Sequence, residues 1–545
     1  MQYQVKVNVF LWEKRDISGT ELAVYKARTR TTGFNRPDTK ESYRKGEKMA
    51  LLIAKVESGV LRGTYSGNDK VSVFKGVPYA APPVGELRWR EPQPPEPWEG
   101  VRDAYTFSDI CLQEQAEKGS FYQKEFYEVR FPMSEDCLYL NIWTPAESDQ
   151  DRLPVAFFIH GGGFSAGMGI NKSYDGEAFG KRGVVTVTIN YRVGVYGFLA
   201  HPELTAENEH ASSGNYGLLD QIAALKWVRN NIASFGGDPE QITIFGQSAG
   251  GGSVQLLCGS PLTRGDIRRA IIQSSIALAP LREPINKPLA AAEQFGADFL
   301  EKIGVSSIKE ARMLSGEELL FRYIKFKGGR FGLYFKPVVD GYAVEDDMLN
   351  QVLKNKHHRI SYLIGGTLDE MANGPMEAPK EEPKDRSSYE IIRDEMGPAS
   401  EYYFEIPKEE REDISEMPAR HICGCCAWSE LQVEQGRPPV YQYLFSHTPP
   451  GDDHPGAFHS AEHPYVFQTL FRIWRPYRGE DMELSNLACG YWTNFIKFGN
   501  PNGEGLPEWT PYTKECPEVM ELKPNAGMKR LFGQPFVRLK NKEGE

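Results

Sequence analysis

No apolar run in this 545-residue chain approaches the roughly 20 residues that span a bilayer, so a membrane-crossing helix is not expected. The opening residues, Met1 to Asp16, mix charged with apolar side chains and lack the continuous hydrophobic stretch of a secretory leader. The expected compartment is therefore the cytoplasm. Positive charge is also short: 63 Lys and Arg stand against 74 Asp and Glu, a formal net charge of −11. That balance argues against a nucleic-acid or anionic-membrane surface. Eight cysteines are too few to scaffold a chain of this length. Cys423, Cys425 and Cys426 crowd one segment, but no Cys/His set with zinc spacing accompanies them, so they read as buried or free thiols and no metal site is expected. No internal repeat interrupts the text.

Residues 1–48 are polar and basic with little periodicity, and the character changes at Met49, where Ala50 to Val56 reads as a first strand. Arg44-Lys45-Gly46-Glu47 can be written in purine-rich codons containing AGGAG, a bacterial ribosome-binding sequence, just ahead of Met49. The expectation is a bacterial chain whose native start is Met49, with 1–48 a disordered or mis-annotated N-terminal extension and 49–545 one catalytic domain.

Downstream, short β-branched or aromatic runs alternate with longer amphipathic ones, the pattern of a sheet with crossover helices. Strands are predicted at Val155–Ile159, Val184–Asn190, Ile242–Phe245, Ala270–Gln273, Tyr362–Ile364 and Val440–Phe445. A helix is predicted from Gly217 to Phe235, with Leu218, Ile222, Leu225, Val228 and Ile232 forming one buried stripe. Gly236-Gly237 ends it, and Asp238-Pro239 is read as a turn. Residues 376 to about 416, rich in Glu, Lys and Pro, read as exposed helices or a cap insertion.

The chemistry concentrates in four places. Gly246-Gln247-Ser248-Ala249-Gly250 is a G-x-S-x-G turn between a predicted strand and a run of small residues. Such a turn projects its serine into a cleft, making Ser248 the candidate nucleophile. His160-Gly161-Gly162-Gly163-Phe164 follows the Val155–Ile159 strand, where converging backbone N–H groups can hold an anionic oxygen. A base is needed, and His459 lies late in the chain, as the hydrolase order serine, acid, histidine requires; spacing alone leaves His454 and His463 open. The acid falls at Asp369 or Glu370, directly after the Tyr362–Ile364 strand, and the residues themselves barely separate the two.

With these residues in place, the chain resembles the type-B carboxylesterases of the carboxylesterase/cholinesterase family. Phe74 to Ala80 with Pro82-Pro83-Val84-Gly85 resembles the N-terminal signature, and Ser134 to Asn141 resembles the second. Asn190 to Gly194, Gly214 to Gln221, Phe235 to Pro239, and Tyr491 to Phe495 with Gly499 to Asn502 are similar to further family stretches. The resemblance runs from about Val56 to the C-terminus and implies an α/β-hydrolase fold: a central, mostly parallel twisted sheet flanked by helices, with large cap or loop insertions. It implies hydrolysis of a small-molecule ester without a cofactor. It assigns the acid to Glu370, supports His459 as base, and places the oxyanion donors on the N–H groups of Gly162, Gly163 and Ala249. It also implies that Cys111 pairs with Cys137, which a reducing cytoplasm opposes. Four positions depart from the family pattern. Gln247 stands where many relatives carry glutamate, which disfavours specialised choline-ester hydrolysis; Ser460 and His463 replace a usual glycine and leucine; Ser275 stands where glycine is common. The alternatives are a lipase acting on long-chain esters and a non-catalytic binding protein of the same fold.

Overall fold

Val155, Ala156, Phe157, Phe158 and Ile159 are fully buried in succession, a run that suits a strand covered on both faces. Their side chains separate by parity: Val155, Phe157 and Ile159 enter one apolar core, Ala156 and Phe158 another. The same split recurs along Gly237–Gln247, with Ile242 and Ile244 on the first side and Phe245 on the second. One sheet thus divides two cores. The computed structural model describes residues 49–275, 286–328, 334–370 and 416–530, with the short pairs 8–9 and 28–29. The charged stretch 376–415 lies outside the described residues.

The chain divides into two compact units, Met1–Lys48 and Met49–Glu545. In the first, Asn8–Val9 pairs antiparallel with Arg28–Thr29. The second holds an 11-stranded sheet. From one edge its strands run Gly527–Arg530, Glu518–Leu522, Val440–Phe445, Ser361–Thr367, Arg269–Gln273, Gly237–Gln247, Leu153–Ile159, Val185–Ile189, Tyr139–Thr144, Ser72–Pro78 and Thr64–Tyr65. Every pairing from Glu518–Leu522 across to Val185–Ile189 is parallel, and the pairings at both edges are antiparallel. This is the mixed, mostly parallel sheet of an α/β-hydrolase fold. From Leu153–Ile159 the chain continues to Val185–Ile189 on one side; from Gly237–Gln247 it continues to Arg269–Gln273 on the other. The carboxyl ends of these two neighbouring strands therefore open a crevice at a topological switch point.

Helices cover both faces. Tyr216–Asn231 supplies Leu218, Ile222, Leu225 and Val228 to the first core, and Gly479–Phe498 supplies Tyr491, Trp492 and Phe495 to the second. The first helix is not a one-stripe helix: Asp220, Gln221, Ala224 and Trp227 are buried too. Its buried carboxylate is matched, because Asp220 takes the Arg192 side chain at both oxygens, 2.6 and 2.8 Å, with both residues buried. Removing one partner of such a buried pair typically costs about 3–5 kcal/mol. The helix ends in a 3₁₀ turn, Ile232–Phe235, capped by Gly236 at φ +72°. Asp238-Pro239 is not a separate turn: the strand starts at Gly237, and a register irregularity opposite Leu153 and Val155 accommodates the proline.

Cys111 and Cys137 are both buried thiols. A hydrogen bond with the Cys111 thiol, followed by burial, pushes the Cys137 thiol well above its ordinary value. Among the described residues no helix is long and apolar enough to cross a membrane.

Candidate active site

Four loops meet at the carboxyl edge of the sheet. The strand Gly237–Gln247 runs straight into the helix Ala249–Gly259, with Ser248 as the single residue between them. Ser248 has φ +55° and ψ −127°, a conformation that costs a non-glycine residue on the order of 1–3 kcal/mol. Strand and helix press together behind it. A Cβ at Gly246 would lie 2.5 Å from the Gly250 carbonyl oxygen, and one at Gly250 would lie 2.1 Å from that of Ile159. Only glycine admits this approach, which is why the two small positions flank the serine. The Ser248 N–H donates to the Gln273 carbonyl at 2.9 Å, tying the turn to the neighbouring strand.

The glycine loop follows Ile159 directly. A Cβ at Gly161 would come within 3.0 Å of Ser248 Cβ, so loop and serine are in contact. Gly162 (φ +111°) and Gly163 (φ +62°) turn the loop, and the Gly162 carbonyl accepts from the N–H groups of Ser165 and Ala166. The Gly162 carbonyl is thus taken up within its own loop, while Ala249 opens the helix that begins at the Ser248 turn. His160 anchors the loop below: it stacks on Tyr191 at 4.3 Å, and the Tyr191 hydroxyl donates to the His160 carbonyl at 2.9 Å. Burial pushes the His160 imidazole down to about 4, so it is neutral at physiological pH.

Glu370 lies three residues beyond the strand Ser361–Thr367, and its Oε1 accepts the Thr367 N–H at 2.9 Å. Its Oε2 meets His459 Nδ1 in a short hydrogen bond. Burial is the largest influence on the His459 imidazole and lowers it, but the Glu370 charge and hydrogen bond, with a smaller contribution from Glu462, raise it overall. Asp369, the adjacent carboxylate, points elsewhere: its Oδ2 accepts the Ala457 N–H at 2.7 Å. Above this loop Phe458 packs edge-on against Phe121 at 4.9 Å, and the buried Arg475, paired with Glu125, lies over the Phe458 ring.

The other two histidines fall away from the carboxylate. His454 is exposed. His463 is buried against Phe158 and Tyr174, and neither ring nitrogen meets a hydrogen-bonding partner among the described residues. Burial pushes it down to about 3.

One group at the site carries no signal in the sequence. Glu462 is fully buried behind His459, with Oε1 accepting from Gln273 Nε2 at 3.1 Å and from the Tyr443 hydroxyl at 3.4 Å. Burial, with a smaller contribution from the Glu370 charge, raises its carboxyl to about 7. A glutamate at the start of a short helix ordinarily faces solvent, so only the three-dimensional packing reveals this one. No group of three or more His, Cys, Asp or Glu residues suited to a metal ion occurs among the described residues.

Residues 51–539 match the carboxylesterase family. The chain belongs to that family. It is 34% identical to the fumonisin B1 esterase of Sphingopyxis macrogoltabida over 508 residues, covering 87% of both chains. It is 33% identical to the para-nitrobenzyl esterase of Bacillus subtilis (strain 168), covering 87% of this chain and 95% of that one. In three dimensions it superimposes on a PNB esterase with a TM-score of 0.74 at 30% identity, spanning 90% of this chain and 99% of the other. A Geobacillus stearothermophilus carboxylesterase gives a TM-score of 0.72 at 34% identity over the same shares. This carboxylesterase is accordingly a carboxylic-ester hydrolase of the serine-esterase type, and its substrates are small-molecule esters.

Proposed function

We propose that the enzyme hydrolyses carboxylic esters through an acyl-enzyme, with Ser248 as nucleophile, His459 as general base and acid, and Glu370 as the carboxylate that holds the imidazole. The observation that carries this reading is the contact of His459 Nδ1 with a Glu370 oxygen, in a loop beside a serine held at φ +55°. A carboxylate only accepts hydrogen bonds, so the ring proton sits on Nδ1 and Nε2 presents a lone pair. The Ser248 Oγ–H bond breaks as Oγ attacks the ester carbonyl, and the proton moves to Nε2. The carbonyl oxygen becomes an anion received by the N–H groups of Gly162, Gly163 and Ala249, each worth about 2.7–4 kcal/mol of transition-state stabilisation. His459 returns the proton to the departing alcohol, then activates water to release the acid and free the serine.

The test is turnover of p-nitrophenyl acetate or butyrate. Ser248→Ala should lower kcat by roughly a million-fold. A wild-type rate equal to that of the variant defeats the proposal. Esters of one acid with different alcohols should share a common kcat when deacylation limits the rate, which separates an acyl-enzyme from direct attack by water. An ester panel of graded acyl length, offered in solution and as emulsion, distinguishes a soluble-ester preference from a lipase.

A further inference from the structure

Gln247 has no part in the steps just described, yet its side chain occupies the position that matters most to them. It is buried at 3% exposure, and its Nε2 lies 3.0 Å from Nε2 of His459. Its Oε1 lies on the side of Gly161, where a Cβ built on that glycine would approach it to 3.1 Å. The carboxamide therefore lies between the glycine loop and the general base, one residue before the nucleophile. Because the His459 proton resides on Nδ1 against Glu370, the facing Nε2 is an acceptor, and the amide N–H donates to it. That is the lone pair which must receive the Ser248 proton.

We propose that Gln247 is a positioning residue of the general base: its carboxamide donates to Nε2 of His459 and holds the resting imidazole as the Nδ1–H tautomer until the Ser248 hydroxyl takes its place. The inference rests on the roles given above to Ser248 and His459. During attack the Ser248 Oγ–H bond breaks, the proton forms a bond to Nε2, and the oxygen's electron pair bonds the acyl carbon. Nε2 then becomes a donor, so the amide N–H loses its acceptor and the carboxamide withdraws or turns its oxygen toward the new N–H. An amide has both a donor end and an acceptor end for this exchange, whereas a carboxylate there could only accept. A donor on the lone pair favours the neutral ring over the imidazolium, so it opposes protonation by solvent. The charged groups that face the same ring are Glu370 from the loop after Ser361–Thr367 and Glu462 from the start of the helix His463–Val466. His463, on that helix, is neutral, and Tyr122 and Tyr443 approach the two carboxylates as neutral phenols.

The experiment is the pH dependence of kcat/KM for a soluble aryl ester in wild type, Gln247→Met and Gln247→Glu. Methionine keeps the length of the side chain and removes the donor, so the acidic limb should move to higher pH by about 0.5–1 unit. Glutamate, accepting from the imidazolium, should move it further the same way, by about 1–3 units. A methionine profile that superimposes on wild type overturns the inference, because loss of packing alone does not move a limb. Should neither variant fold, ¹⁵N-histidine-labelled wild type decides: the His459 Nε2 resonance above the limb should be displaced from that of a free imidazole lone pair, and coincidence with it counts against the cap. Absence of Ser248-dependent turnover in wild type defeats the catalytic reading itself; an active wild type with an unmoved methionine limb defeats only the role of Gln247.

Discussion

Asp369 and Ala457 hold each other at two points: the Asp369 N–H donates to the Ala457 carbonyl at 3.0 Å, and its carboxylate accepts the Ala457 N–H at 2.7 Å. Two residues on, His459 meets the next carboxylate, Glu370. Adjacent acids thus divide the work, one latching the loop and the other the imidazole. Glu370→Gln should cost about 10²–10⁴ in kcat, since an amide cannot serve as the same anionic acceptor. Asp369→Asn should lose a smaller factor in kcat and show its effect mainly as about 1–3 kcal/mol of stability. Steady-state kinetics and urea unfolding on both variants check this. Equal kcat losses would contradict the division of labour.

The limits of the sequence are visible at the same residues. Continuous β-branched and aromatic runs mark the central strands because both faces are buried, and Val440–Phe445 has the predicted bounds. The G-x-S-x-G and H-G-G-G motifs are legible because their spacing encodes backbone geometry. Residue chemistry alone barely separates Asp369 from Glu370, since neighbouring carboxylates differ only in where the turn aims them, and the family resemblance is what singles out Glu370. Asp238-Pro239 reads as a turn because a proline in a central strand needs an irregularity, and the pairing of Gly237 with Leu153 that sets the register there is a long-range fact. Glu462 was invisible: a glutamate is buried by its neighbours, and those neighbours, Gln273 and Tyr443, come from other strands.

A pH profile follows from the net raising of the His459 imidazole. The base is active when neutral, so kcat/KM should increase as pH passes upward through its titration. Burial, the largest effect, would place that limb below an ordinary histidine, but Glu370 outweighs it. The acidic limb of wild type should therefore lie above about 6.5. A limb below that value would mean that desolvation wins over the carboxylate.

Ser460 has φ +77° in the base loop, a backbone region that disfavours side chains by about 1–2 kcal/mol. Ser460→Gly relieves this strain, while the looser unfolded chain takes back about 0.4–1 kcal/mol. A net gain of about 1 kcal/mol in urea unfolding is expected, by a higher midpoint at constant slope. Ser460→Ala keeps the Cβ and should show no such gain. If alanine stabilises as much as glycine, the strain is not in the backbone.

Glu462 and His463 are consecutive, fully buried, and displaced in opposite directions, to about 7 and about 3. For Glu462 the folded value exceeds the unfolded one, near 4.3, so the folded state binds more protons and stability declines as pH rises from there to about 7. For His463 the folded value lies below the unfolded one, near 6.5, so the unfolded state binds more protons and stability declines as pH falls from there to about 3. Between roughly pH 4.3 and 6.5 the two slopes, each up to about 1.4 kcal/mol per unit, oppose one another. Each single variant should uncover its neighbour. Glu462→Gln, which mimics the protonated carboxyl, leaves the histidine slope and should gain stability with rising pH across that window relative to wild type. His463→Leu leaves the glutamate slope and should be most favoured over wild type at the acid end, having also removed two ring nitrogens that have no partner among the described residues. Urea midpoints at closely spaced pH values for wild type and both variants measure the slopes directly. Parallel curves for all three proteins would mean that neither group titrates out of step with the unfolded chain.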